Sequence, residues 1–426
     1  MNRLRLAVWS PLPPSPSGIA DYAAEQLPGL RERFDVQVVS SAPQGAWPEA
    51  DLDLYQIGNS PAHVFVYRAA LQRPGVVLLH DWNVHDLVLA ESADRGGRRA
   101  YLREMRRAYG ERGSFLGRQI ARGLGGEIWP ALLPLGDRLL ERSLALIGLT
   151  RQVAQHARER LGERPVLQLP HHLALPLSPW PTQREARAAL GLPPDALLVT
   201  APGLASVSKR VHVVARVVAR LRRAHPQLLL VLAGGLDPGF EAASLAPEDP
   251  GSVLVTGRLG PHDFLRHLAA ADLVSALRFP SRGEISGALV RSLGAGRPCF
   301  VTAGTPAAEE FPEGCVVPVS PDRHEEAELE ALLAALLAKP EARGALGAQA
   351  RDHVLEYHDL GRVTTRLADF LEPLARDRQR LEARLPPLET GALAELLDEI
   401  HFAARELQLP GLPDGLGSLL APLAGP

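Results

Sequence analysis

Short apolar runs alternate with amphipathic stretches through the first half of the chain, and the alternation restarts near residue 197. Runs at 4–9, 36–40, 53–57 and 76–80 have the length and branched-chain content of buried strands, while 62–71 and the stretch beginning at Ile19 repeat their apolar residues at helical spacing. This order predicts a parallel sheet covered by helices. Pro28 and Gly29 interrupt the first helical pattern, so that helix is expected to kink or stop near Leu27. A mainly helical insertion at 90–144 is followed by strands at 145–149 and 166–169. Residues 169–182 contain Pro170, Pro176, Pro179 and Pro181, which sustain neither a helix nor a central strand, so a domain linker is expected there.

The second series places strands at 197–201, 228–232, 253–255, 273–276 and 299–302, with helices at 210–222, 261–270 and 287–294 between them. Helices at 325–337 and 341–357 close it, and a helix at 360–374 is expected to return to the first unit. From 376 the chain is helix-prone to about 407 and then ends in a Pro/Gly-rich tail, 410–426. The predicted organisation is a doubly wound α/β domain at 1–170, a second at 183–358, and C-terminal helices with a tail at 359–426.

Composition narrows this picture. A chain of 426 residues, 46% of them hydrophobic, supports two or three ordinary cores. Its formal net charge of −3 comes from both signs mixed along the chain, which argues against a nucleic-acid partner. Cys299 and Cys315 fall in predicted strands with neither metal-ligand nor disulfide-framework spacing. The two arginines and short apolar run at the N-terminus continue into prolines without a small-residue cleavage site, which reads as a first strand and not as a signal peptide. With no apolar span long enough for a bilayer, a soluble cytoplasmic protein is expected.

Candidate chemistry collects where strands give way to helices. Only two of the 46 basic residues are lysines, and Lys209, followed by Arg210, lies in the loop between the strand at 197–201 and its helix. A cation there, beside free helix N–H groups at the carboxyl edge of a parallel sheet, suits an anion. Ser17 and Gly18 close the loop after the first strand, where small residues let a ligand approach the backbone. His63 and the segment containing His80, Asp81 and His85 follow two further strands of the same half. A histidine beside an aspartate suits orienting a sugar hydroxyl or exchanging a proton near neutral pH; a helix-capping Asp81 with a structural His80 is the alternative. Asp51 and Asp53 have the form of a DxD metal motif, but they open a strand. In the second half Glu284 precedes Ser286 and Gly287 at the start of a helix carrying Arg291. A carboxylate at a phosphate-binding edge is explained by hydrogen bonds from sugar hydroxyls, with pairing to Arg282 or Arg291 as the alternative.

Taken in order, the Ser17-Gly18 loop, Leu79-His80-Asp81, the spacing from Gly203 to Lys209, and Gly283 to Gly287 running on to Gly296-Arg297-Pro298 resemble the family-4 glycosyltransferases of GT-B fold, over roughly 1–375. The resemblance implies two Rossmann-like domains facing a central cleft, the first on the acceptor side and the second binding a nucleotide sugar. It implies that Gly18 lies near the donor diphosphate or acceptor, His80 near the transferred sugar, Lys209 on the diphosphate and Glu284 on donor-sugar hydroxyls. Gly203, Arg210, Ser286, Gly287 and Arg291 complete the expected donor contacts; His63, Asp81 and His85 are placed on the acceptor side. The reaction implied is a hexosyltransferase reaction with retention at the anomeric carbon, with no cofactor and no obligatory metal, and a UDP-, GDP- or dTDP-linked donor. The acceptor is a glycan, a lipid-linked sugar or a small molecule.

Two positions depart from the family pattern. Leu204 stands where an arginine commonly follows the loop glycine, and Arg291 stands where a ribose-binding glutamate is common, with Glu284 displaced by one position. These departures make a catalytically silent nucleotide-sugar-binding or partner protein the alternative function. A GT-B epimerase or phosphorylase is a further alternative, the latter limited by the scarcity of lysines. The arginine-rich segment 98–107, with Tyr101, Leu102 and Met105, is a candidate contact with an anionic membrane at the inner face of a bacterial cell, as polysaccharide synthesis on a lipid-linked acceptor requires; a solvated face packed on the domain is the alternative.

Overall fold

The computed structural model describes residues 3–385 apart from 16, 44, 95–96, 125, 127, 175–179, 238–239 and 242–243; the predicted helix-prone stretch beyond 385 and the tail lie outside the described residues. The first half runs β1 (Arg5–Trp9), α1 (Gly18–Arg33), β2 (Asp35–Val39), β3 (Leu52–Ile57), α2 (Val64–Gln72), β4 (Val76–Leu79), α3 (His85–Asp94), α4 (Arg98–Ile120), α5 (Ile128–Leu132), α6 (Asp137–Arg142), β5 (Ala145–Gly148), α7 (Arg151–Leu161) and β6 (Val166–Gln168). Its six strands are parallel in the order β2-β1-β3-β4-β5-β6. The helical insertion lies between β4 and β5, as its pattern predicts.

The second half runs α8 (Gln183–Leu190), β7 (Leu197–Pro202), α9 (Val211–Leu221), β8 (Leu228–Ala233), β9 (Val253–Val255), α10 (Pro261–Ala270), β10 (Leu273–Ser275), α11 (Gly287–Gly294), β11 (Cys299–Thr302), α12 (Pro306–Glu309), β12 (Val317–Val319), α13 (Glu325–Ala338), α14 (Pro340–Tyr357), α15 (Leu360–Arg376) and α16 (Arg378–Glu382). Its sheet is parallel in the order β12-β11-β10-β7-β8-β9. The two sheets make a GT-B architecture. In each, the direction of winding reverses beside the first strand, between β1 and β3 and between β7 and β10, which opens a crevice at the carboxyl ends of those strands.

Two features depart from the sequence expectations. Helix α1 runs through Pro28 to Arg33 without stopping at Leu27. The proline removes one backbone donor, but Leu27 and Leu30 join a buried cluster with Val363, Leu367 and Leu371 of α15, and that burial holds the helix together. Gly29 makes the approach possible, because a Cβ there would stand 2.8 Å from Thr364 Cγ2. Helices α7, α8 and α12 were absent from the pattern reading, and the strand expected at Cys315 begins instead at Val317. Asp51 accepts from the Arg5 backbone N–H, and Asp53 is fully buried against Arg73, Arg378 and Trp9, so both carboxylates are engaged within the first half of the fold and by its C-terminal return. Helix α15 does return to the first sheet, where Asp369 and Glu372 hold Arg33 of α1 at 3.0 and 2.7 Å.

Candidate active site

On the second sheet, β7 ends at Pro202 and the chain turns at Gly203, whose φ of +79° lies in the left-handed region. Glycine is needed there twice over, since a Cβ would also stand 2.8 Å from Lys209 Nζ. Lys209 folds back across this turn and donates to the Pro202 carbonyl at 2.8 Å. Desolvation, followed by the charge of Arg278, pushes its pKa down to about 7. The partner loop, 276–286, is joined to this one by Phe279 N–H donating to Ser208 C=O at 2.8 Å. Within it Glu284 accepts from Arg282 N–H at 2.6 Å and from Ser281 Oγ at 3.3 Å, and pairs with Arg278 at 2.8 Å. Neither Arg282 nor Arg291 is its ion-pair partner. Ser286 caps α11 by accepting from Leu289 N–H, and Gly287 opens the helix. Lys209, Glu284 and the start of α11 are therefore assembled on one crevice, with Arg278 between the first two.

The two arginines expected on the donor phosphates are committed elsewhere. Arg210, the only non-glycine with positive φ among the described residues, turns its guanidinium onto Glu325 of α13. Arg291 pairs with Glu25 of α1 at 2.7 Å. Each guanidinium is engaged by a carboxylate that competes with phosphate for it.

On the first sheet, Gly18 is exposed at the start of α1, and Ser17 accepts from Ile19 N–H. His80 is buried and hydrogen-bonds through Nε2 to Gln56 Oε1 at 2.9 Å; Gln56 bonds Gln26, which bonds Tyr22. Burial holds its pKa well below the ordinary histidine range, which favours the neutral ring. Asp81 does not cap α3; it accepts from Asn59 N–H at 2.8 Å, while Asn83 Oδ1 accepts from His85 N–H. Burial first, and then the charge of Glu284 across the crevice, push the Asp81 pKa up to about 6.

His63 and His85 are buried. His63 is fully buried with Nδ1–H donating to the Gln56 carbonyl, and burial takes its pKa to about 4. His85 has Nδ1 on the Leu133 carbonyl at 2.6 Å and Nε2 on Tyr101 Oη at 2.8 Å, tying α3 to the helical insertion. Their position after apolar strands placed them correctly along the chain, but their rings point into the domain. In the segment 98–107 Tyr101, Leu102 and Met105 are buried, Arg106 pairs with Glu111 and Arg107 with Glu141, while Arg98 and Arg99 are exposed.

Asp81 carries a test of this geometry. Its folded-state pKa lies above the ordinary 3.8, so its favourable contribution is complete below about pH 4 and is lost as pH rises through about 6. Asp81→Asn keeps an acceptor for Asn59 and is expected to raise stability at pH 7 by about 1–2 kcal/mol, with no gain near pH 4. Urea unfolding at the two pH values measures this, and an equal effect at both contradicts it.

Across the cleft, Asn83 N–H donates to Arg282 C=O at 2.9 Å and Arg282 pairs with Asp86 at 2.6 Å. A Cβ on Gly283 would collide with Trp82 at 2.6 Å. His171 and His172, from the linker, pack on Tyr22 with centroids at 4.8 and 4.2 Å. Sequence reading missed Arg278, Tyr22, Glu25, Gln56 and the two linker histidines. The only local signal was a pair of adjacent histidines inside a proline-rich segment, which is otherwise poor in groups that need a buried partner. Among the described residues no group of three or more His, Cys, Asp or Glu is placed to hold a metal ion, and no helix is long and apolar enough to cross a membrane.

Comparison with known proteins agrees with the fold. Residues 210–369 match the model of a family described as glycosyl transferase-like. A search of curated proteins gave no match. Among solved structures, HepE from Anabaena in complex with UDP and glucose is similar at a TM-score of 0.59 and 17% identity, over 87% of this chain and 100% of HepE. Sucrose-phosphate synthase from Thermosynechococcus elongatus is similar at 0.61 and 15%, over 87% and 99%. WaaG, a glycosyltransferase involved in lipopolysaccharide biosynthesis, is similar at 0.57 and 18%, over 86% and 99%. The protein thus has a GT-B fold, and its second half carries a glycosyl transferase-like domain.

Proposed function

We propose that this protein is a retaining glycosyltransferase of the family-4 type, moving a hexose from a nucleotide-diphosphate donor to a glycan, lipid-linked or small-molecule acceptor. The observation that carries the reading is the joining of Lys209 and Glu284 on one crevice through the Phe279–Ser208 hydrogen bond. Gly203 leaves room for the lysine, which takes the diphosphate together with the N–H groups at Ser286 and Gly287. Glu284 accepts from sugar hydroxyls. Gly18, neutral His80 and Asp81 face them from the acceptor side. As the anomeric bond to the diphosphate breaks, negative charge grows on the leaving group, where Lys209 offsets it without a metal ion. The neighbour solved with UDP and glucose supports a UDP-linked donor.

Incubation with UDP-, GDP- and dTDP-sugars, measuring released nucleotide, tests this directly. Release from one donor supports the transferase. Binding without release supports the second reading, a silent nucleotide-sugar-binding or partner protein, which is favoured by the engagement of Arg210 and Arg291 with carboxylates.

A cytoplasmic location at the inner membrane face belongs to the same proposal, with a contact surface that runs from the arginines of 98–107 to the exposed apolar side chains that follow them. Phe115, Leu124, Ile128, Trp129 and Leu132 are 39–63% exposed. Residues 98–132 contain eight arginines and three glutamates, in a chain of net charge −3. Apolar side chains in such a basic region suit a bilayer of anionic lipid. Flotation with anionic vesicles is expected to carry the protein, and Trp129→Asp with Leu132→Asp to abolish this without loss of helix content. Equal flotation with neutral vesicles, or none, removes the lipid contact and leaves the transferase reading intact.

A further inference from the structure

We propose that Glu25 and Arg291 are positioning residues that latch α1 of the first sheet to α11 of the second, holding the two crevices in register. Glu25 Oε1 and Oε2 lie 2.7 and 3.0 Å from Arg291 Nη2, and Oε2 also accepts from His172 Nε2 at 2.8 Å. The side chains are 23%, 15% and 0% exposed for Glu25, Arg291 and His172, so the charges face each other and not bulk water. Tyr22, one turn before Glu25, stacks on His172 and fixes the ring that donates to the carboxylate. Arg291 Nη1 donates in turn to the Gly287 carbonyl at 3.3 Å. The guanidinium therefore spans the first turn of α11 and reaches the opposite sheet from there. The latch sits one helical turn from the N–H groups proposed for the diphosphate.

A buried ion pair gives modest net stability, because desolvation offsets much of the attraction, but it is demanding about orientation. Between two domains joined by a linker this makes it a register device. When the domains separate, both charges regain water, so the pair selects one closed arrangement without locking it. The role also explains why Arg291 is lodged on a carboxylate in a position expected to contact the donor.

The latch rests on the transferase reading only for its kinetic arm. Small-angle scattering of the full chain without nucleotide is compared for wild type, Glu25→Arg, Arg291→Glu and the double reversal. Each single reversal places like charges together and is expected to enlarge the radius of gyration, and the double reversal to return it to the wild-type value. The dissociation constant for the nucleotide product, held by the second sheet, stays within about twofold, while kcat falls about 10- to 100-fold in the single variants and recovers in the double. Unchanged scattering in both single variants overturns the latch. So does a loss of nucleotide affinity that the double reversal fails to restore, which would make Arg291 a donor ligand. If a reversal fails to fold by circular dichroism, Glu25→Gln and Arg291→Lys are read by the same criteria. If no donor is turned over, scattering and nucleotide affinity still decide the latch, and only the transferase reading fails.

Discussion

Lys209→Met is expected to leave the fold intact and to lower kcat for sugar transfer about 100- to 1000-fold, the usual loss when a preorganised charge is removed from a developing anion. Stability is spared because Lys209 is held at a cost. Its pKa is about 7 when folded and 10.5 in an ordinary lysine, so the unfolded chain binds more protons between those values. Its contribution to stability is therefore complete above about pH 10.5 and is lost as pH falls toward 7. At neutral pH a methionine fills the site without that cost. A diphosphate supplies the missing counter-charge and pulls the lysine back to its protonated form. Nucleotide binding at pH 8 should then take up most of a proton per site in the wild type and none at this site in Lys209→Met. Calorimetry in buffers of different ionisation enthalpy measures the difference. Near-normal turnover by the variant, or equal proton uptake, would remove Lys209 from the diphosphate.

The largest loss of stability is expected from Asp53→Ala, at about 3–5 kcal/mol. Asp53 has no solvent exposure; it accepts from Trp9 Nε1 at 2.9 Å and pairs with Arg73 and Arg378 at 2.7 and 3.1 Å. Burial raises its pKa, with Trp9 and the two arginines acting against that shift. Removing the carboxylate leaves Arg73 without its anion beside an apolar sheet and Arg378 with Glu382 alone, and backbone carbonyls satisfy only part of their remaining donors. Arg378 reaches this site from α16, so the same change loosens the C-terminal return to the first sheet. Denaturant melts should show the first sheet unfolding early while nucleotide binding by the second half is retained. A loss below about 1 kcal/mol would mean that Arg378 is not anchored through Asp53.

Much of the fold was legible because its signals are local. Buried parallel strands read as apolar runs of four to six residues, and the helices between them repeat at their own period. Helix α8 was readable as well: Thr182 and Glu185 form a capping box, visible as a threonine followed three residues later by a glutamate. Thr150 gives α7 a similar start. The continuation of α1 through Pro28 was not readable, since the helix that compensates for the proline begins at Leu360.

The site divides along the same line. Gly203, Lys209, Glu284, Ser286 and Gly287 could be placed together because strand ends in a parallel sheet share an edge. His63 and His85 occupied equivalent strand-end positions, yet the carbonyls of Gln56 and Leu133 draw their rings inward. Arg291 shows the limit most plainly, because its partner Glu25 is 266 residues away.

By itself, then, the sequence determined two doubly wound sheets and the strand ends that carry Lys209 and Glu284. Only the tertiary structure decided which charges are free and which are spent on one another. Periodicity and turn chemistry act over a few residues, whereas an ion pair depends on which distant side chains share a buried space, and neither Arg210, Arg291 nor Asp53 carries that information in its own neighbourhood.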